Sequence, residues 1–250
     1  MKTEDWLTVF SSRFSLGLEN FIIKLEMQER LLEVRRLGRY AYDDGLDLQK
    51  ELEREVIERR ERDFLLLLEH PHTFTLGRRA KMDGVLATAE LLKSLGVSVF
   101  ETNRGGKVTY HGLGQIVGYP IINLSAHRED VHRYVRDLEE VLIRTMTDFG
   151  IESFRIEGLT GVHTAEGKIA AIGVHLKRWV TTHGFALNVN TDLSFFNWII
   201  ACEGEPVTSM EKLLGREIDL AEVEDKIVKN FKQVFEFEKI EELQAIVQTV

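Results

Sequence analysis

The chain has 250 residues, of which 44% are hydrophobic and 29% charged, the proportions of an ordinary globular protein. Its net charge of −9 argues against a general nucleic-acid or anionic-membrane partner, and no apolar run is long enough to cross a bilayer. The single cysteine, Cys202, excludes an internal disulfide and a cysteine-rich metal site. Because Glu4 and Asp5 stand where a signal peptide needs apolar residues, we expect a cytoplasmic protein.

The first part of the chain predicts an extension followed by the opening elements of a domain. Residues 1–30 have helix-like spacing but carry no catalytic pattern. A strand is predicted within Leu31–Tyr42 and a helix over Asp47–Arg62, whose apolar residues share one face. The continuous apolar run Phe64–Leu68 is typical of a strand that is buried on both faces.

The middle of the chain continues this mixture. Thr88–Leu95 predicts a short helix that ends at Gly96, and Val97–Glu101 predicts a strand. Ile116–Leu124 predicts another strand, which Pro120 marks as an edge or a bulge.

The last part predicts two amphipathic helices and a hairpin between them. The helices cover Asp130–Phe149 and Leu220–Phe235, the second with Asp219 as its N-cap. The hairpin pairs Lys168–Val174 with His183–Val189. We therefore expect one α/β (α+β) domain with a mixed sheet over residues 31–240, followed by a C-terminal tail at 241–250.

A glycine-rich polar stretch, Arg104–Gln115, precedes the strand at Ile116. Its glycines allow a backbone to approach a ligand closely, so it predicts one wall of a binding cleft. Two phosphate motifs nearly match and fail. Gly161 and Gly167-Lys168 enclose one residue too many for a P-loop, and the glycines of Gly112–Gly118 are one residue too widely spaced for a dinucleotide fingerprint. The sequence thus offers no evident site for ATP or NAD, and a reaction that needs no external energy source is favoured.

Several blocks in fixed order resemble the octanoyltransferases of lipoate biosynthesis. The strongest are Arg104–Gly112, Lys168–Gly173 and Arg178–Val189, and the similarity runs over about residues 37–210. The resemblance implies a single mixed-sheet domain of the biotin/lipoate protein ligase type with flanking helices. It also implies transfer of an octanoyl or lipoyl group from an acyl carrier protein thioester to a lysine of a lipoyl domain. The acceptors it implies are the E2 subunits of 2-oxoacid dehydrogenases and the glycine cleavage H protein; no cofactor, nucleic acid, metal or membrane is implied.

The resemblance also assigns roles to residues of this chain. Cys202 would form the acyl-thioester intermediate and Lys168 would tune its reactivity. The acyl chain would lie against Arg104, Gly105, Gly106, Lys107, Val108, Thr109, Tyr110, His111, Ala171, Ile172, Gly173, Gly184, Phe185 and Ala186.

Chemistry explains why these residue types suit such a transfer. A thiol relay divides one transfer between two large partners into two steps, and a nearby ammonium favours the reactive thiolate. Lys168 can start charged, or it can start neutral and take the thiol proton itself; the sequence leaves both routes open. His111 and His183 can donate to the thioester oxygen or be structural histidines. Small residues beside apolar walls suit an alkyl chain, at about 0.8 kcal/mol per buried CH₂.

Departures from the family pattern leave two alternatives open. Ala201 and Glu203 flank Cys202 where proline and glycine are usual, and a carboxylate beside a thiolate opposes ionisation. The first alternative is an ATP-dependent lipoate or biotin ligase of the same fold; the second is an inactive module that binds acyl carrier protein. For carrier docking we expect a basic patch, which consists of Arg78, Arg79 and Lys81.

Overall fold

The computed structural model describes residues 30–200 and 205–244 of the chain. The predicted N-terminal helix, Cys202 and most of the predicted C-terminal tail lie outside these residues. Ten strands and five α-helices are described. In chain order they are β1 (Leu31–Arg39), α1 (Tyr42–Arg59), β2 (Asp63–Glu69), β3 (Thr73–Leu76), α2 (Ala89–Ser94), β4 (Ser98–Glu101), β5 (Val108–His111), β6 (Gln115–Ile121), α3 (Val131–Asp148), β7 (Val162–Thr164), β8 (Gly167–Lys177), β9 (Val180–Asn188), α4 (Met210–Leu214), α5 (Leu220–Val234) and β10 (Lys239–Gln244).

Seven strands form a mixed sheet in the order β10-β1-β2-β6-β9-β8-β7, and a smaller sheet has the order β4-β3-β5. β1 runs parallel to both β10 and β2, whereas β2, β6, β9, β8 and β7 are antiparallel to their successive neighbours. The mixed sheet that the sequence predicts is therefore confirmed. Residues 241–244, which were assigned to a tail, extend β10 along the edge of the sheet.

The side chains of the central strand β2 pack against helices on both faces of the large sheet. Its leucines and phenylalanine are all inaccessible to solvent, and their side chains alternate between the two faces of the sheet. Leu65 and Leu67 pack with α3 and α5 on one face, and Phe64, Leu66 and Leu68 pack with α1 on the other. The prediction of a strand buried on both faces is confirmed.

The hairpin and the caps also agree with the sequence. β8 and β9 pair from Ala170 opposite Leu187 to Lys177 opposite Val180. The turn between them consists of Arg178 and Trp179, which both have positive φ, as a two-residue hairpin turn requires. Asp219 caps α5 by accepting a hydrogen bond from the backbone N–H of Ala221 at 3.0 Å.

Two predictions need correction. Helix α1 begins at Tyr42 rather than Asp47. The sequence did not indicate the first turn because that turn contains Gly45, a poor helix former, whose backbone lies close to the His70 ring. Strand β6 lies inside the sheet rather than at its edge, between β2 and β9. Pro120 is accommodated there because the regular pairing with β9 ends at Gly118, beyond which the Thr181 hydroxyl donates to the Pro120 carbonyl at 2.8 Å.

Candidate active site

A cavity of about 170 Å³ lies between the α1-covered face of the large sheet and strand β5 of the small sheet. It follows the β8–β9 hairpin, and a smaller cavity of about 30 Å³ adjoins it. Lys168, Val108, Thr109, Ala171 and Ala186 line both. All the predicted substrate-binding residues line the larger cavity except Gly105 and Tyr110. Lining residues that the prediction of binding residues left out are Tyr42, Arg79, Val117, Tyr119, Gly158, Leu159, Thr160 and His183.

Tyr110 lies on the other side of β5 because side chains alternate along a strand. Its ring stacks on Phe195 at 4.9 Å, and its hydroxyl lies 2.8 Å from His72 Nδ1. Tyr110 therefore belongs to the core of the small sheet. Gly105 instead ties the glycine-rich stretch to the hairpin, since its N–H donates to the Val174 carbonyl at 2.9 Å.

The glycine-rich stretch is held by Arg104, whose side chain is buried. Its Nη2 donates to the Thr75 carbonyl at 2.6 Å, and its Nε and Nη2 both reach the Thr75 hydroxyl. A Cβ on Gly77 would come within 2.7 Å of Arg104 Nη1 and 2.6 Å of the Gly106 carbonyl, so this approach requires glycine. Arg104 thus shapes the wall of the cavity as well as lining it.

Gly173 and Gly184 of the β8–β9 hairpin line the cavity and also allow neighbouring backbones to pack closely. A Cβ on Gly173 would lie 2.9 Å from the Gly105 carbonyl, and one on Gly184 would overlap the Gly118 carbonyl. Ala171 and Ala186, whose side chains end at Cβ, also line the cavity.

His111 and His183 are held by partners that occupy their N–H groups. His111 Nδ1 donates to Gln115 Oε1 at 2.8 Å, because the Gln115 amide nitrogen is committed to the Tyr110 carbonyl and Asn188 Oδ1. His183 Nε2 donates to Asn103 Oδ1 at 2.7 Å.

Both rings are neutral at ordinary pH. Burial lowers the pKa of His183 to about 3 and that of His111 well below its usual range. A neutral imidazole has one N–H, and in each ring it is already used. Of the two roles that the sequence left open, this geometry favours the structural one.

The end of the cavity away from Lys168 is lined by polar rings and by the buried Arg104 guanidinium, whose charge also acts on them. The Tyr119 hydroxyl donates to His70 Nε2 at 2.7 Å, since His70 Nδ1 donates to the Tyr40 carbonyl. Burial lowers the pKa of His70 to about 4 and raises that of Tyr42 to about 12. Tyr42 stacks on His111 at 6.0 Å between ring centroids. These residues come together only in the fold. The one sequence signal was the position of Tyr119 within the predicted strand Ile116–Leu124.

Lys168 lies at the other end, at the start of β8, with 9% of its side chain exposed. Its backbone N–H donates to the Pro206 carbonyl at 2.8 Å, and its carbonyl accepts from the Thr208 N–H at 3.0 Å. A Cβ on Gly167 would overlap the Pro206 carbonyl, so glycine is required for this close pairing. The segment that follows Cys202 in the chain therefore runs alongside Lys168.

Two ionisable groups that the sequence analysis did not single out adjoin Lys168. Glu205 Oε2 lies 3.7 Å from Lys168 Nζ and 3.5 Å from His163 Nε2. No local pattern identifies either residue, because His163 reaches Lys168 across the β7–β8 pairing and Glu205 reaches it from another segment.

Arg78, Arg79 and Lys81 are exposed, and Arg79 also lines the larger cavity. The basic patch therefore adjoins the cavity. Within residues 30–200 and 205–244 there is no cluster of three metal-ligating acidic, histidine or cysteine residues. The same residues contain no helix that is long and apolar enough to cross a membrane.

Comparison with known proteins decides the family. The family model for the lipoyl protein ligase A/B catalytic domain matches residues 41–232 of this chain. An octanoyltransferase of Solibacter usitatus is 50% identical over 83% of this chain and 94% of its own. One of Rubrobacter xylanophilus is 49% identical over 85% of this chain and 97% of its own.

The chain belongs to the octanoyltransferases of this catalytic family. The resemblance that the sequence motifs indicated is confirmed, and the protein is an acyltransferase by membership. A lipoate-protein ligase A solved with bound ATP superposes with a TM-score of 0.67 over 87% of this chain and 89% of that one, at 16% identity. A bipartite lipoate protein ligase of Thermoplasma acidophilum gives a TM-score of 0.66 over 88% of each chain, at 17% identity. At such identities these likenesses show the fold alone, and the expected lipoate-ligase fold is confirmed.

Proposed function

We propose that this octanoyltransferase moves an octanoyl group from an acyl carrier protein thioester to a lysine of lipoyl domains, through an acyl-Cys202 intermediate that Lys168 activates. The observation that carries the proposal is the position of Lys168. Its side chain lines the cavity, and its backbone pairs with the segment just after Cys202.

The chain length supports the same pairing. Cys202 follows Ile200 by two residues and precedes Glu205 by three. Ile200 is tied to the Gly84 carbonyl by a hydrogen bond of 2.7 Å, and Glu205 adjoins Lys168.

The chemistry balances without ATP. The Cys202 thiol loses its proton to the neutral amine of Lys168, which becomes an ammonium, and the resulting thiolate attacks the carrier thioester carbonyl. The carrier thiolate leaves and takes that proton from the Lys168 ammonium, which gives acyl-Cys202. The neutral lysine amine of the lipoyl domain then attacks this thioester, the C–S bond breaks as the amide C–N bond forms, and the amine proton passes to the Cys202 thiolate. Thioester exchange is close to isoenergetic, and amide formation from a thioester is downhill, so no energy source is needed.

The cavity suits the acyl group. Apolar side chains and the short side chains of Ala171 and Ala186 provide the walls. Burial of each methylene contributes about 0.8 kcal/mol, so an eight-carbon chain is held well and shorter chains less well.

The partners follow from this reaction. We expect the acidic carrier protein to dock on the basic patch beside the cavity. The E2 subunits of 2-oxoacid dehydrogenases and the glycine cleavage H protein are the acceptors we propose. A relay through a free thiol suits a reducing compartment, and we propose the cytoplasm as the location.

Reconstitution tests the proposal. Octanoyl carrier protein and an apo lipoyl domain are incubated with the protein, and octanoylation of the domain is followed by mass spectrometry. Transfer should proceed without ATP and should be lost in Cys202→Ser. Transfer of free octanoate that requires ATP would instead indicate a ligase, and carrier binding without transfer at any pH would indicate an inactive module.

A further inference from the structure

Lys168 belongs to a buried ionisable cluster on the β7–β8 hairpin. His163 and Lys168 are paired in the register of the two strands, and their side chains are 3% and 9% exposed. Glu205 joins them from the segment that pairs with the start of β8. A single oxygen, Glu205 Oε2, lies 3.5 Å from His163 Nε2 and 3.7 Å from Lys168 Nζ.

Hydrogen bonding in this cluster is incomplete. Glu205 Oε2 and both ring nitrogens of His163 are buried and have no hydrogen-bond partner among residues 30–200 and 205–244. A buried polar atom that lacks a partner destabilises the folded state, so such a group in a folded protein calls for an explanation. A shift of less than about 1 Å would let the Glu205 carboxylate accept a hydrogen bond from His163 Nε2 or from Lys168 Nζ.

The charges show which group can act on Lys168. Burial lowers the pKa of His163, and the Lys168 charge lowers it further, while Glu205 and Glu139 oppose this. His163 is therefore a neutral donor at ordinary pH. Glu139 is engaged elsewhere, because it pairs with Arg136 and Arg155 and accepts from the Gly161 N–H. Among the residues that the structure describes, Glu205 is thus the carboxylate that faces Lys168.

We propose that Glu205 and His163 are a positioning pair for Lys168. His163 Nε2–H donates to the Glu205 carboxylate, and the carboxylate holds Lys168 Nζ and stabilises its ammonium form. When the thiol transfers its proton, the S–H bond breaks, an N–H bond forms at Nζ, and the electron pair stays on sulfur. Glu205 and His163 exchange no proton. The inference rests on the proposed role of Lys168 but concerns the charge state of that lysine, which can be measured without acyl transfer.

The test measures the protonation of Lys168 directly. The protein is pulse-labelled with acetic anhydride across a range of pH, and acetylation of the Lys168 peptide is quantified by mass spectrometry. Only the neutral amine reacts, so the midpoint reports loss of the ammonium proton. Because a neighbouring carboxylate favours the ammonium, Glu205→Gln should move the midpoint to lower pH by about one unit or more.

Matched variants separate this effect from a general change of structure. Glu166 lies in the turn of the same hairpin, and its exposed carboxylate pairs with Lys212 of α4. Glu166→Gln removes this carboxylate and should leave the Lys168 midpoint unchanged. His163→Phe removes the donor and should give a smaller shift in the same direction, whereas His163→Gln keeps a donor and should restore most of the wild-type value. If Glu205→Gln does not fold, Glu205→Asp, which withdraws the carboxylate by one methylene, should give part of the shift.

If Glu205→Gln folds and its Lys168 midpoint is unchanged, the positioning role is overturned. If Glu205→Gln does not fold, an unchanged midpoint in folded Glu205→Asp overturns it. The result is separable from failure of the proposed function. If the wild-type protein transfers no octanoyl group but the midpoint still shifts, the pairing stands and the reaction assignment fails.

Discussion

The histidines at the two ends of the cavity differ in how their nitrogens are satisfied. At the glycine-rich end, His111 and His183 each donate to a side-chain amide and are neutral because they are buried. At the Lys168 end, His163 is also buried, but no other described residue forms a hydrogen bond with either of its ring nitrogens. The first end is a fixed polar scaffold for a ligand, whereas the second holds charges that can rearrange. The difference supports our proposal that proton transfer occurs at the Lys168 end.

The largest effect should come from removing the charge there. Lys168→Met keeps the length and apolar stem of the side chain but cannot hold the thiol proton. A positioned acid or base contributes about 10²–10⁴-fold, so we expect octanoyl transfer to fall by that range. Because Cys202 is the single cysteine, its alkylation by iodoacetamide at neutral pH should slow as well. Normal alkylation with lost transfer would show that Lys168 acts after thiolate formation.

Filling the space between the two ends should have the next largest effect. Ala171→Leu adds three carbons to a residue that lines both cavities. If these displace about three methylenes of the acyl chain, roughly 2.4 kcal/mol of burial is lost, which corresponds to about 50-fold in kcat/KM for octanoyl donors. The measurement compares octanoyl with butanoyl carrier protein. An equal loss for both donors would mean that the acyl chain does not lie beside Ala171.

The parts of the molecule also differ in how much of their structure the sequence predicts. The run Phe64–Leu68 specifies a doubly buried strand because every side chain in it is apolar, and Asp219 specifies a helix start by local chemistry. Strand alternation could have separated Tyr110 from Thr109 and His111, once the boundaries of β5 were known. The contact of His163 and Glu205 with Lys168 could not be predicted, because it depends on how β7, β8 and the segment at Pro206 pair.

The basic patch should have a smaller effect that depends on salt. Arg78→Glu together with Lys81→Glu reverses two exposed charges and leaves Arg79, which lines the cavity, in place. We expect kcat/KM for octanoyl carrier protein to fall about tenfold at low ionic strength and less at high salt, because steering charges act mainly on association. The matched control uses a small octanoyl thioester without a carrier, whose rate should not change. The same loss with both donors would contradict carrier docking at this patch.

The smallest effect on activity is expected at His183. Its pKa is lowered to about 3, so it stays neutral in the working range, and His183→Gln should leave the shape of the pH–rate profile unchanged between pH 6 and 8. A lowered pKa means that the folded state binds fewer protons than the unfolded state. The wild-type protein therefore loses stability as pH falls from about 6.5 towards 3. Urea unfolding at pH 7 and pH 4.5 should show a smaller loss in His183→Gln, and an equal loss would contradict the low pKa.

Intact-protein mass spectrometry after incubation with octanoyl carrier protein alone tests the central claim most directly. With no acceptor present, the wild-type protein should gain the mass of one octanoyl group. Peptide mapping should place it on Cys202, and hydroxylamine should remove it, as expected for a thioester. Lys168→Met should acquire the same group far more slowly, and Cys202→Ser should not acquire it. An unmodified Cys202 in protein that transfers octanoyl at its full rate once a lipoyl domain is added would contradict the relay.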